Sequence, residues 1–433
     1  MSQRGRYYAS VLSLLMWAPL PVFAQIEASA PVDNILSRIR ISTDARFRYE
    51  FLDQSGFEQD ANSATLRIHS ALEFDVSDKI TFLIEGEGIT SLIDDFNDGT
   101  GNNPQFPIIP DPSGVELNRL QLSTSIIPKT RITLGRQRIA IDDSRFIGTF
   151  GFRQNDQTID AIRAETRLFG PGVLDVGYFN QVNRPLGNDN VNGIFEGDSF
   201  FVNYGSQTPI GRIAAFHYST ELETQPFRDN LNAINPITVP PNGTNPISIT
   251  GVNLSNRTTG VRILGRRHWD DFGIVWEGAF ARQKDFADNP LDYSANYGLA
   301  ELTLEPKKWT VKLRGEILGS GDGQGFQTPL GTLHKFQGFA DQFLVTPEDG
   351  VRDYSALVQY NFGQVGPFSA VKAFARHHWF EADTDGRNYG QELNLSFSTK
   401  VNSSKLALEF ANYDADEFSQ DSRAVFVTLQ TAF

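Results

Sequence analysis

The sequence has no cysteine, which excludes disulfides, thiolate metal centres and cysteine nucleophiles. It has only six histidines and no HExxH, P-loop or GxSxG pattern. Zinc-hydrolase, nucleotide-binding and serine-hydrolase readings therefore have nothing to rest on, and no enzyme, metal or cofactor is expected. Positive charge is also scarce. Thirty-eight Lys and Arg against 52 Asp and Glu leave a net charge of -14, which argues against a nucleic-acid partner. Beyond the N-terminal stretch no apolar run approaches the roughly 20 residues of a membrane helix. Mean hydropathy is only -0.30. A membrane β-barrel remains compatible with that average, because its apolar surface is hidden by alternation.

The N-terminus is built differently from the rest. Arg4 and Arg6 precede an apolar stretch from Val11 to Leu20, and Val22-Phe23-Ala24 ends on a small residue before Gln25. Residues 1–24 read as a secretory signal peptide. Residues 25–37 read as a short periplasmic lead-in, and 38–433 as one domain.

Within 38–433 the dominant signal is period-2 alternation. Ile39, Ile41, Ala45, Phe47, Tyr49 and Phe51 share one parity, while Arg40, Ser42, Asp44, Arg46, Arg48 and Glu50 share the other. In a strand the two parities lie on opposite faces. Leu66, Ile68, Leu72 and Phe74 oppose Arg67, His69 and Glu73 in the same way. Eighteen such segments run from 38–52 and 62–77 through to 404–414 and 421–433.

The connections carry a second signal. Eight are tight turns, among them Ser77-Asp78, Pro128-Lys129, Gly170-Pro171, Pro209-Ile210, Gly366-Pro367 and Asn402-Ser403. The alternate connections are mostly longer, including 93–113, 140–156, 223–254 and 320–350. Short turns at one end and long loops at the other are the asymmetry of a transmembrane barrel. The reading is all-β: a single transmembrane antiparallel β-barrel of 18 strands in a Gram-negative outer membrane. The short turns are periplasmic and the long loops extracellular. The last strand alternates Val425, Val427, Leu429, Thr431 and Phe433 and stops on the aromatic. That ending resembles the insertion signal read by the barrel-assembly machinery.

If the apolar parity meets lipid, the other parity lines the lumen. A charge at mid-membrane on the lipid face costs about 2–4 kcal/mol for Arg or Lys, which orients most strands. The lumen then receives Arg46, Arg48, Arg67, Arg163, Arg167, Arg262, Arg314 and Arg376, mixed with acids such as Glu50, Glu316 and Glu392. So many ions imply a wet interior rather than an apolar plug. Acids also crowd the outer loops, including Asp111, Asp142 and Asp143. They read as solvated surface, or as sites of divalent bridging to lipopolysaccharide. The Pro- and Asn-rich loop 223–254 and the Gly-rich run 319–325 read as flexible.

Two stretches are distinctive. One runs Leu134-Gly135-Arg136-Gln137-Arg138-Ile139, then Phe146 to Asn155 (FIGTFGFRQN), then Thr158 to Arg163. The other is His334 to Phe343 (HKFQGFADQF). Together they resemble the alginate-export family of outer-membrane porins. The resemblance implies an 18-stranded barrel passing an anionic polyuronate through an arginine-rich constriction. Within the GRQR segment, strict alternation would place Arg136 and Arg138 on the lipid face. A bulge at Gly135 would instead aim both inward. Arg136, Arg138, Arg145, Arg153 and Arg163 are the constriction candidates, since the planar guanidinium binds carboxylates bidentately. Phe336, Phe339 and Phe343 are expected to pack loop 320–350 into the lumen.

The function expected is an aqueous path for polar, anionic sugars or oligosaccharides. The alternative is a structural or adhesive barrel without transport. Outer-membrane lipid, lipopolysaccharide, a polar or anionic solute and the assembly machinery are the partners.

Overall fold

A computed structural model describes residues 36–100, 102–190, 192–224 and 253–433. The signal peptide (1–24), nearly all of the lead-in (25–37) and most of loop 223–254 lie outside the described residues. The strands are β1 (Ile39–Gln54), β2 (Ala61–Ser77), β3 (Ile80–Asp95), β4 (Gly114–Thr124), β5 (Thr130–Gln137), β6 (Thr158–Thr166), β7 (Val173–Asn183), β8 (Ile194–Thr208), β9 (Gly211–Thr220) and β10 (Asn256–Trp269). They continue as β11 (Phe272–Asp285), β12 (Ser294–Pro306), β13 (Trp309–Leu318), β14 (Ser320–Gly321), β15 (Gln324–Gly325), β16 (Val351–Val365), β17 (Phe368–Glu381), β18 (Asn388–Val401), β19 (Ser404–Ala415) and β20 (Ser422–Ala432).

All but β14 and β15 form one 18-stranded sheet. Each strand pairs with its neighbours in sequence, and β20 closes the circle by pairing antiparallel with β1 from Asp44↔Ala432 to Gln54↔Ser422. Closure removes the unpaired edges that a bilayer cannot satisfy. The alternation decides which face is which. The row Leu122–Leu134–Ile162–Tyr178–Phe200 is directly paired across β4 to β8, and every member is exposed. This row belongs to the apolar outer belt. Residues of the opposite parity, such as Arg48, Glu50, Arg67 and Glu85, are buried inside.

The lumen is not uniformly wet. Loops 138–157 and 319–350 fold into it and pair with one another. Ile147 bridges Leu330, Gly148 N–H donates to Leu330 O at 2.8 Å, and Thr332 N–H donates to Ser144 O at 2.9 Å. Under them lies an apolar core. Phe146 rests on Phe216 and Tyr297 with ring centroids 5.2 Å apart, and Ile147, Phe195, Phe326 and Leu330 are buried around it. The expectation of an interior without an apolar plug is corrected here. Inward-facing charges dominate some strands, but others present Ala281, Tyr297 and Phe216, and the loops cover these.

The Gly-rich run 319–325 is also corrected. It forms the β14–β15 hairpin, turned by Asp322 (φ 55°) and Gly323 (φ 78°). Two central residues at positive φ make the turn type whose twist matches a hairpin, and Asp-Gly favours it.

Candidate functional site

Loop 138–157 starts from β5 and reaches the far wall. Arg145, almost fully buried, donates to Glu316 Oε1 on β13 at 2.8 Å, Thr328 Oγ1 at 3.0 Å and Gln337 Oε1 at 3.1 Å. Its guanidinium carbon lies 4.6 Å from the ring centroid of Phe336. Arg153 bonds Glu50 on β1 at 3.0 Å and Asp341 of the second loop at 3.0 Å. A buried guanidinium needs such partners, because an unpaired charge in this setting costs several kcal/mol. Arg145 and Arg153 therefore pin the loops.

The second loop is held as firmly. Glu392 Oε1 on β18 accepts from Phe339 N–H at 2.6 Å and Ala340 N–H at 2.9 Å. Phe343 sits among Phe380, Tyr389, Tyr413 and Phe418. His334 stacks between Phe152 (centroids 3.4 Å apart) and Phe339 (5.0 Å), and Arg48 lies 3.9 Å over the Phe152 ring. His334 Nδ1 meets Asp341 Oδ1 at 2.9 Å. Burial alone would raise the Asp341 carboxyl. The His334 imidazole and the Arg153 guanidinium outweigh it and hold it below the usual carboxylate range. Asp143 is likewise held low, with Arg262 and Lys335 overcoming its burial.

Inside the wall formed by β20, β1, β2 and β3 is a cavity of about 340 Å³, lined by Asp44, Arg46, Arg67, Glu85, Arg138 and Asp156 among others. Arg67 bonds Asp44 at 2.5 Å, and Arg138 bonds Glu85 at 2.7 Å and Asp156 at 2.5 Å. Arg46 differs from both. It donates to Gly151 O and Arg153 O at 3.1 Å and to Gln430 Oε1 at 3.3 Å, so its partners are neutral. Arg376 is held by Ser355 Oγ, at 2.8 and 3.2 Å. Neither guanidinium is bound directly by a carboxylate, although Asp44 and Asp156 line the cavity beside Arg46.

The five constriction candidates do not converge. Arg138 reaches the cavity, and Arg145 and Arg153 lie in the in-folded loop. Arg163 faces inward against Asp175 (2.7 Å) and Glu165 (3.2 Å), opposite Thr133 and well below Arg138 on the wall. Arg136 corrects the expectation that a bulge at Gly135 aims it inward. Gly135 does adopt φ 101°, but the ladders on both sides keep register, and Arg136 stays in the exterior row Leu72–Ile84–Leu120. There it bonds Asp160 at 2.7 Å, which makes the charge tolerable at the outer end of β5. Only past the strand end does Arg138 turn inward.

Arg167 is a second correction. It lies beyond β6, exposed in the turn to β7, and not on the lumen wall. Of the remaining lumen arginines, Arg262 pairs with Asp143 and Glu277, and Arg314 bonds Glu301 at 3.0 Å and Glu316 at 3.1 Å. Asp111, Asp142 and Asp143 are not solvated surface. Asp111 is fully buried and accepts from Gln154 N–H at 2.8 Å, Asp142 bonds Arg212 at 2.5 Å, and Asp143 clamps Arg262. Phe152, His334 and Asp341 gave no separable signal. Their pairing is across two loops, and only the motifs FIGTFGFRQN and HKFQGFADQF mark the segments.

Among the described residues, His69, Glu87 and Asp156 bring metal-type ligand atoms within 4.8 Å of one another. Arg138 occupies the same ground, 2.5 Å from Asp156 and 3.3 Å from His69. Its positive charge would oppose a bound cation, so the group is read as a neutralised ion cluster.

No protein-family model matches the chain, and no curated protein matches it. Solved structures do. OpdO of Pseudomonas aeruginosa superposes with a TM-score of 0.65 at 12% identity, over 92% of this chain and 97% of that one. A BenF-like porin from Pseudomonas fluorescens gives 0.64 at 11%, over 92% and 100%. Pseudomonas aeruginosa OpdK, solved with vanillate, gives 0.62 at 10%, over 91% and 98%. The chain shares with these structures the fold of an outer-membrane porin, a closed 18-stranded antiparallel β-barrel.

Proposed function

We propose that this chain is a passive outer-membrane channel for small polar solutes, with a preference for anionic sugars, short oligosaccharides or organic acids. The observation that carries the reading is Arg46. Its charge faces the 340 Å³ cavity and is bound only by carbonyl and amide oxygens. A carboxylate solute would give Arg46 the directly bound, bidentate partner that its carbonyl and amide contacts do not. The vanillate bound by OpdK is such an organic anion. The resemblance to alginate exporters favours the same charge. Two loops pinned across the lumen favour short solutes over a long polyuronate, which would have to displace them.

Export would use the N-terminal leader. Assembly would use the C-terminal strand ending at Phe433, whose N–H donates to Thr43 O at 2.8 Å. Lipid and lipopolysaccharide would surround the belt.

Reversal potentials in planar bilayers under a salt gradient test this. Anion preference is expected, and Arg46→Gln should weaken it. Cation selectivity would overturn the reading, while absence of current would favour a structural or adhesive barrel.

A further inference from the structure

The channel reading leaves one part of the exterior unused. On the lipid face of β11–β17 lies an apolar groove of about 610 Å³. Ala300, Gly315 and Ala356 supply its low floor, and Trp276, Tyr354 and Trp379 rise around it. The floor follows the pairing, with Ala300 opposite Gly315, Gly315 opposite Tyr354, and Tyr354 opposite Trp379.

The same row continues into a polar site. Trp379 pairs with Gln391, and Gln391 with Asp414. These residues, with Asn388 and Asp416, line a second cavity of about 230 Å³. It lies at the outer rim, where β18 begins at Asn388 and β19 ends at Ala415. Trp379 is the wall common to both, and it is 46% exposed. Beside the rim the exposed Arg423 is opposite Asn412.

Each part selects one portion of an amphiphile. The groove lies in the apolar belt and suits an acyl chain. The rim cavity offers carboxylate and amide groups to hydroxyls, and an indole edge for a ring to lie against. A guanidinium nearby suits a phosphate. We infer that this composite groove holds one saccharolipid of the outer leaflet, with an acyl chain over Gly315 and a sugar beside Trp379. A phospholipid would fill the groove and leave the rim cavity unmatched. The inference rests on the outer-membrane placement and not on the solute.

The test is native mass spectrometry of the full barrel from nanodiscs containing rough lipopolysaccharide, or phosphatidylglycerol alone. The wild type should retain the lipopolysaccharide mass in preference to phosphatidylglycerol. A Cβ at Gly315 would meet nothing nearer than the Tyr354 ring at 3.6 Å, so Gly315→Leu fills the groove without disturbing the backbone. Gly315→Leu and Trp379→Ala should each lower retention about fivefold or more, given the energy of one aromatic contact. Asp414→Asn, on the rim, gives a third variant with little effect on the fold. Unchanged bilayer conductance in the variants would show that the barrel and its channel are intact. Equal retention by wild type and variants, or equal retention of phosphatidylglycerol, would overturn the inference.

Discussion

At the scale of single residues, the lumen is organised by buried charges that hold loops. Arg145 and Glu316 are both nearly inaccessible, and Glu316 also accepts from the Tyr297 hydroxyl at 2.7 Å. Arg145→Met leaves Glu316 with less compensation and should destabilise the barrel by about 3–5 kcal/mol. Arg145→Met with Glu316→Met should recover part of that loss, because neither member of the pair is left without the other and Arg314, which also bonds Glu316, keeps Glu301. Urea unfolding in micelles, followed by tryptophan emission, measures the cycle. An additive double mutant would show that the two residues act independently.

Asp341 makes a prediction about pH. Its carboxyl is held below the usual aspartate value, so its contribution to loop anchoring is fully present above that value. It is lost as pH falls through the lowered value in the folded protein, below about pH 4. Asp143, held low by Arg262 and Lys335 against its burial, behaves in the same direction. Acid should therefore loosen both loops. Limited proteolysis at 319–350 should rise in that range, and Asp341→Asn should show the looser state at neutral pH. A cleavage rate independent of pH in the wild type would count against the clamp.

At the scale of elements, the strands and loops obey different rules. A strand's faces are set by parity, and closure gives every backbone group a partner. A loop inside the lumen has no such rule and must be tied by side chains. Loop 319–350 is tied at Glu392, at Asp341 and by the Phe343 cluster. Replacing residues 328–343 with a short Gly-Ser linker removes these ties and leaves the ladder intact. Conductance should rise several-fold and anion preference should fall. Unchanged current through the shortened protein would place the narrow region elsewhere.

Gly135 shows where the two rules meet. A Cβ there would lie 2.3 Å from Leu120 O, and its φ of 101° belongs to glycine. The residue reads from sequence as a bulge, but the ladder does not shift. The backbone absorbs the distortion locally, and the chain leaves the exterior only after Gln137.

At the scale of the whole molecule, the strand architecture was readable in the sequence. Period-2 alternation over eighteen segments, with turns and loops at opposite ends, is set by local chemistry repeated in order. Each strand needs only its own parity and its nearest turn to be recognised. The lipid face followed, since a misplaced Arg carries a large penalty. What the tertiary structure decided is the inside. Arg145 meets Glu316 across 171 positions of sequence, and Arg153 meets Asp341 across 188. No periodicity encodes such pairs, because they depend on two loops meeting in a space that exists only after closure. Arg136 obeys the parity that a bulge at Gly135 was expected to break, and Arg167 was assigned by parity just past a strand end, where parity stops applying. Arg46 became notable only when its partners proved to be carbonyl and amide oxygens rather than acids. Alternation determines which side of the wall a residue faces. Only the closed barrel determines what it meets there.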